Sequence, residues 1–215
     1  MDFSALTKNL SSALISNLQK KWEGKATILE MRDGGCSQWK QMEWPGWYFQ
    51  WKCETILKEV GFTIPGPCFG NVEFDGFKTI PWDFKAHTMQ SGTSVPTNGL
   101  SEIQEAIQEY GAVGFIVGCG EAEYDQNPFP FKAWVDSLKG EISDYEINRI
   151  KRNAPSRVRK TAFTLKKLAF VIVDKDYKTY KEFQGGMRNS DGTPRKRKMM
   201  LDLNDTTLKK WEYTF

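Results

Sequence analysis

A single histidine, His87, stands in the whole chain, and that scarcity excludes several chemistries at once. A His-Glu-x-x-His zinc-protease helix needs two such ligands, and a nuclease of the His-Asn-His type needs more than one. A Ser-His-Asp triad would have to enlist His87 and a serine elbow, yet no Gly-x-Ser-x-Gly occurs. The Walker loop that cradles nucleotide phosphates is also missing, and no small-molecule organic cofactor is expected. Cysteine is nearly as rare: Cys36, Cys53, Cys68 and Cys119 are widely spaced, and none belongs to a Cys-x-x-Cys pair. That spacing argues against a structural zinc site and fits packed thiols in a reducing, cytoplasmic compartment. Met1-Asp2-Phe3-Ser4 lacks the basic and apolar regions of a secretory signal. No apolar run is long enough to cross a membrane. Repeats and low-complexity tracts are absent.

What remains is a chain of 215 residues, 40% hydrophobic and 13% aromatic, enough to build a sizeable core in one domain spanning residues 1–215. A net charge of +3 does not announce nucleic acid by itself; its distribution matters more. The stretch Val72–His87 organises the rest. Around Asp83 the residues alternate, Trp82, Phe84 and Ala86 on one side, Asp83, Lys85 and His87 on the other, as in a strand that buries one face. Asp75 precedes Asp83 with seven residues between them, Gly76 among them. A hairpin or bent strand there would bring the two carboxylates together.

Two adjacent carboxylates repel, and one of them normally keeps its proton. A divalent cation removes the conflict and turns the pair into ligands. All-oxygen donors suit Mg²⁺, which shares its shell readily with phosphate and polarises a phosphoryl oxygen. Lys85, two residues beyond Asp83, could orient or deprotonate the attacking water. The set is suited to phosphodiester hydrolysis.

Asp75 followed by Asp83-Phe84-Lys85 resembles the signature of the PD-(D/E)xK nucleases, the superfamily of type II restriction endonucleases and many repair nucleases. Phe74 stands where that family often has proline. The resemblance implies an α/β fold with a mixed central β-sheet flanked by helices, its catalytic core over about residues 45–175. It implies Mg²⁺ held by Asp75, Asp83 and the Phe84 carbonyl, with Lys85 acting on the water. The helix before the family's catalytic hairpin often supplies a glutamate, and Glu54 matches by order and position. Its other reading is a solvated acid paired with Lys58. A homodimer is expected by the same likeness, because cutting both strands needs two sites.

In chain order, Asp2–Trp22 reads as a helix with Leu6, Leu10, Leu14 and Leu18 on one stripe, and Ala26–Met31 as a short strand. Trp44–Gly61 is a helix, with Pro45 in its first turn and Gly61 at its end. Thr63–Phe69 is a turn and Thr88–Asn98 a polar loop. Gly99–Tyr110 is a helix with Ser101 as cap, and Ala112–Cys119 is a buried central strand. Strand, hairpin, helix, strand is also the order of the family's core. Glu121, Glu123 and Asp125 could bind metal but more often face water. Pro130–Leu138 and a segment opening at Ser143 are helices, Leu168–Val173 is a second buried strand, and Thr207–Phe215 is a last one.

Basic residues concentrate after the hairpin, in segments of about residues 149–167 and 184–198. Arg152, Arg157, Arg159 and Lys160 belong to the first. The second, carrying Gln184, Arg188, Asn189, Arg195, Lys196, Arg197 and Lys198, combines glycines with side-chain types that read base edges or hold phosphates. The expected partner is double-stranded DNA, with His87 as a phosphate or base contact or a mere strand end. The leading expectation is a sequence-specific, Mg²⁺-dependent endonuclease. A repair or junction-resolving nuclease and a non-catalytic DNA-binding protein are the alternatives.

Overall fold

The computed structural model describes residues 2–142, 144–177, 181–182 and 198–215. In chain order the elements are α1 (Phe3–Asn17), β1 (Lys21–Glu23), α2 (Gly24–Asp33), α3 (Trp44–Glu59), β2 (Cys68–Phe69), β3 (Val72–Glu73), β4 (Gly76–Lys78), β5 (Ile80–Thr88), β6 (Ser94–Gly99), α4 (Leu100–Tyr110), β7 (Ala112–Tyr124), α5 (Pro130–Lys139), α6 (Asp144–Lys151), β8 (Lys160–Asp174), β9 (Lys181–Glu182), β10 (Lys198–Asp202) and β11 (Lys209–Thr214). The fold is α/β with a mixed central sheet, as the sequence implied. Two compact units divide the chain: Met1–Lys20, Phe49–Glu121 and Leu165–Phe215 form one, Lys21–Tyr48 and Ala122–Thr164 the other. The boundary falls within α3, β7 and β8. Among the described residues no helix is long and apolar enough to cross a membrane.

In the first unit β4 and β5 form an antiparallel hairpin, β5 runs parallel to β7, and the second half of β8 pairs antiparallel with β11. The parallel β5–β7 pair demands a crossover, which β6 and α4 supply. Ile103, Ala106 and Ile107 line the apolar face of α4, and Gly111, at φ +82°, closes the helix by donating its N–H to the Ile107 carbonyl. That face packs with Val113, Phe115, Val117 and Cys119 of β7 and Ala169, Val171 and Val173 of β8. The period-two spacing in both strands is what a sheet face requires. On the opposite face Trp82 meets Phe170, with ring centroids 6.4 Å apart, and Phe170 meets Tyr213 edge-on at 5.6 Å.

Glycine in β7 is dictated by these aromatics. Gly114 is the cross-strand partner of Trp82, and a Cβ there would stand 2.3 Å from the indole. A Cβ at Gly118 would lie 2.8 Å from the Phe49 ring. Two bulky rings thus fill the space that two side chains leave empty.

In the second unit the first half of β8 pairs with β1, Phe163 opposite Trp22. Those rings stack at 5.0 Å, and Tyr48 meets Trp22 edge-on at 5.2 Å. The polar tips are satisfied: Trp44 Nε1 donates to the Lys160 carbonyl and the Tyr48 hydroxyl to Glu30 Oε2. Gly24 opens α2 where a Cβ would meet Phe131 and the Thr161 carbonyl, each at 2.7 Å.

Four expectations from the sequence are corrected. Ala26–Met31 is helical, within α2: Gly24, Thr27, Ile28 and Met31 are its buried residues, a 3–4 spacing and not a two-residue alternation. The first helix stops at Asn17 because Leu18 is extended and the chain turns into β1. The segment after His87 is not all loop, since Ser94–Gly99 pairs antiparallel with β10. The cap of α4 is Gly99, while Ser101 Oγ donates to Glu102 Oε2.

Gly114→Ala is expected to destabilise the protein by about 1–3 kcal/mol, the usual penalty for overpacking a closed core. Chemical denaturation monitored by tryptophan fluorescence measures it. A change within experimental error would show that Trp82 can move aside.

Candidate active site

The candidate site is built on β5 and the turn leading into β4. Hydrophobic burial sets β5: Ile80, Trp82 and Phe84 are all buried. Parallel pairing to β7 fixes the register, with Asp83 opposite Phe115 and Lys85 opposite Val117. The β4–β5 connection is a single residue, Thr79, between the partners Lys78 and Ile80. Thr79 adopts φ +69°, a costly conformation for a β-branched residue. The Trp82 indole N–H ties the turn by donating to the Lys78 carbonyl at 3.2 Å.

This hairpin brings Asp75, Asp83 and Lys85 together. The backbone N–H of Phe84 donates to Asp75 Oδ2 at 2.6 Å, so the first acid is held by the residue between the other two. Lys85 Nζ lies 2.6 Å from Asp83 Oδ2. Asp83 is 2% exposed, whereas the Lys85 side chain retains 28% of its exposure and reaches the surface. Asp83 Oδ2 is buried, and the lysine ammonium is its ionic partner.

Electrostatics agree. Burial first, and then the negative charge of Asp83, push the Asp75 carboxyl well above its ordinary range; Lys85 and the Phe84 N–H oppose this without cancelling it. For Lys85, burial alone would lower the ammonium, but the charges of Asp83 and then Asp75 outweigh it, and the net shift is upward. The lysine is therefore an ammonium at neutral pH. Two neighbouring carboxylates of this kind fit a hard divalent cation.

The other sequence candidates are placed differently. Glu54 lies on α3 with Oε1 held by Gln50 Nε2 at 2.8 Å. Burial raises its pKa, the Gln50 hydrogen bond opposes this, and the charge of Glu73 adds to it. The Cys53 thiol, pushed up chiefly by burial, also feels both Asp75 and Glu54. Among the described residues no group of three His, Cys, Asp or Glu side chains that could hold a metal is present. His87 is 7% exposed, and its Nε2 lies 2.7 Å from the Gly92 carbonyl. It clasps the turn after β5 and is not presented to a ligand. Glu121, Glu123 and Asp125 diverge: Glu121 pairs with Lys166, Glu123 with Lys21, and Asp125 accepts from the Phe131 and Lys132 amides at the start of α5.

Of the first basic segment, Arg152 and Arg157 are exposed, Lys160 pairs with Glu43, and Arg159 is buried. Lys198 is exposed on β10. Gln184, Arg188, Asn189, Arg195, Lys196 and Arg197 lie outside the described residues, as does Ser143. The sequence reading missed two features: the capping role of Asp125, signalled by its place six residues before the first amide it binds, and the burial of Arg159, for which no local signal exists. No protein-family model, curated protein or solved structure matches the chain.

Metal-free protein is expected to lose stability as pH rises through the elevated Asp75 pKa. A carboxyl whose folded pKa lies above its unfolded value of about 3.9 favours the folded state at low pH and opposes it once ionised. Asp75→Asn should abolish that loss. Thermal unfolding in chelator across pH tests this, and identical profiles for the two proteins would refute the coupling.

Proposed function

We propose that this chain is a Mg²⁺-dependent DNA endonuclease with a core of the PD-(D/E)xK kind, cutting double-stranded DNA at specific sequences in the manner of type II restriction enzymes. One observation carries the reading. The hairpin gathers Asp75, bonded to the Phe84 amide, and buried Asp83 about the one ammonium of Lys85, which lies 2.6 Å from Asp83 Oδ2.

In this reading Asp75, Asp83 and the Phe84 carbonyl would hold the cation, which would supply charge neutralisation at the scissile phosphate. Lys85 does two things. As an ammonium it balances the aspartates before the metal arrives. Neutralising both acids would remove what raises its pKa and leave burial, which favours release of its proton. Lys85 then becomes competent to take a proton from the attacking water. Arg152 and Arg157, exposed in the second unit, are phosphate contacts in the same reading, with the basic segment 184–198 reading bases. Cutting both strands calls for two sites, hence a homodimer.

A second reading is a DNA-binding protein that does not cleave, which the exposed Arg152 and Arg157 would serve equally well. One experiment separates them. Phage DNA is incubated with the protein and Mg²⁺ and then resolved by electrophoresis. Discrete fragments are expected. Cleavage of branched or mismatched DNA without fixed sequence would redirect the proposal to repair or junction resolution, and binding without nicking in Mg²⁺ or Mn²⁺ would sink it. Lys85→Ala is expected to slow cleavage by about 10²- to 10⁴-fold, the span of positioned proton donors and acceptors, while duplex binding persists. Asp83→Ala should abolish cleavage.

A further inference from the structure

Arg159 is unlike the other basic residues of its segment. It is 8% exposed, and neither Nε nor Nη1 has a hydrogen-bond partner among the described residues. Both nitrogens are shielded from solvent, so bulk water does not satisfy them. A guanidinium stays charged in any protein environment, and an unpaired buried charge is among the most costly features a fold can carry. The main chain does not let the residue swing away freely. It directly precedes β8, and its carbonyl accepts the Asp125 amide at 2.8 Å.

The surroundings deepen the excess of positive charge. Lys139, at the end of α5, is partly buried and forms no ion pair among the described residues. Its pKa is lowered by burial first and by the Arg159 charge second, so the two cations stand within each other's field. Lys132 and Lys40 lower it further, and the one acid acting on it is Asp136. That acid is already in contact with Lys132, while Lys40 is paired with Glu141 at 3.2 Å. Glu146 is taken by Arg149 and Lys132. The carbonyl end of α5 eases the Lys139 charge but gives Arg159 Nε and Nη1 no acceptor. Among the described residues these carboxylates are engaged, and none of them pairs with Arg159 or Lys139.

We propose that Arg159 and Lys139 form a receptor for a phosphate group. Phosphate offers several acceptor oxygens around one centre, which suits a guanidinium and an ammonium acting together. Two sources share that chemistry: a free or terminal phosphate, and the phosphodiester backbone of DNA. The site stands apart from catalysis, because its argument uses neither aspartate of the hairpin.

The test uses the full chain in chelator, so that cleavage plays no part. Thermal unfolding is followed while inorganic phosphate replaces chloride at constant ionic strength. A saturable rise in Tm is expected. Lys139→Gln, at a partly exposed position that should fold normally, is expected to weaken the apparent affinity about tenfold, the value of one charge-assisted hydrogen bond. Arg159→Met should abolish the response. Duplex binding by fluorescence anisotropy separates the sources. Weaker duplex binding in Lys139→Gln, with phosphate competing in the wild type, assigns the site to the DNA backbone; unchanged duplex binding with a retained phosphate response assigns it to a free or terminal phosphate. No saturable response in the wild type, or one that survives in Lys139→Gln at full affinity, overturns the proposal.

Discussion

Repulsion between two neighbouring carboxylates is the constraint on which the hairpin depends. Asp75 and Asp83 sit where water cannot screen them well, and the chain offers two remedies. Lys85 brings a positive charge to Asp83, and the Phe84 amide brings a dipole to Asp75. Neither is complete, since burial and the Asp83 charge still push the Asp75 carboxyl well above its ordinary range. Buried charges left out of balance in this way are characteristic of functional sites.

The scaffold that imposes this is ordinary hydrophobic packing. Trp82 and Phe84 flank Asp83 in sequence and are buried, Gly114 makes room for the indole, and parallel pairing to β7 leaves the strand no alternative register. The one-residue turn at Thr79 shows how tightly the strands are joined. Packing energy, spread over many residues, holds three polar ones in an arrangement they would not adopt alone.

Much of this was legible in the sequence because the relevant signals are local. The apolar run of β7 and the glycines closing α4 and α5 each declare themselves within a dozen residues, whereas the alternation around Asp83 suggests one buried face and β5 is buried on both. The site triad was found the same way. What escaped depends on distant partners. Ser94–Gly99 looks polar, and it is a strand only because β10, about a hundred residues later, pairs with it. Thr27 and Ile28 have β-branched side chains that suggest a strand, yet the buried residues recur at helical intervals and the tertiary setting prevails. Arg159 sits in a basic run that reads as one solvated surface, and only folding sets it apart from Arg157.

The bond from residue 84 to Asp75 comes from the main chain. Its donor is present whatever side chain occupies that position, with proline alone unable to supply it. Mutation can therefore exchange the amino acid between the acid and the lysine, within what the core tolerates, and leave the clamp intact. Evolution can preserve such a device as a shape while its spelling drifts, so kinship between chains that carry it is better sought in backbone geometry than in letters.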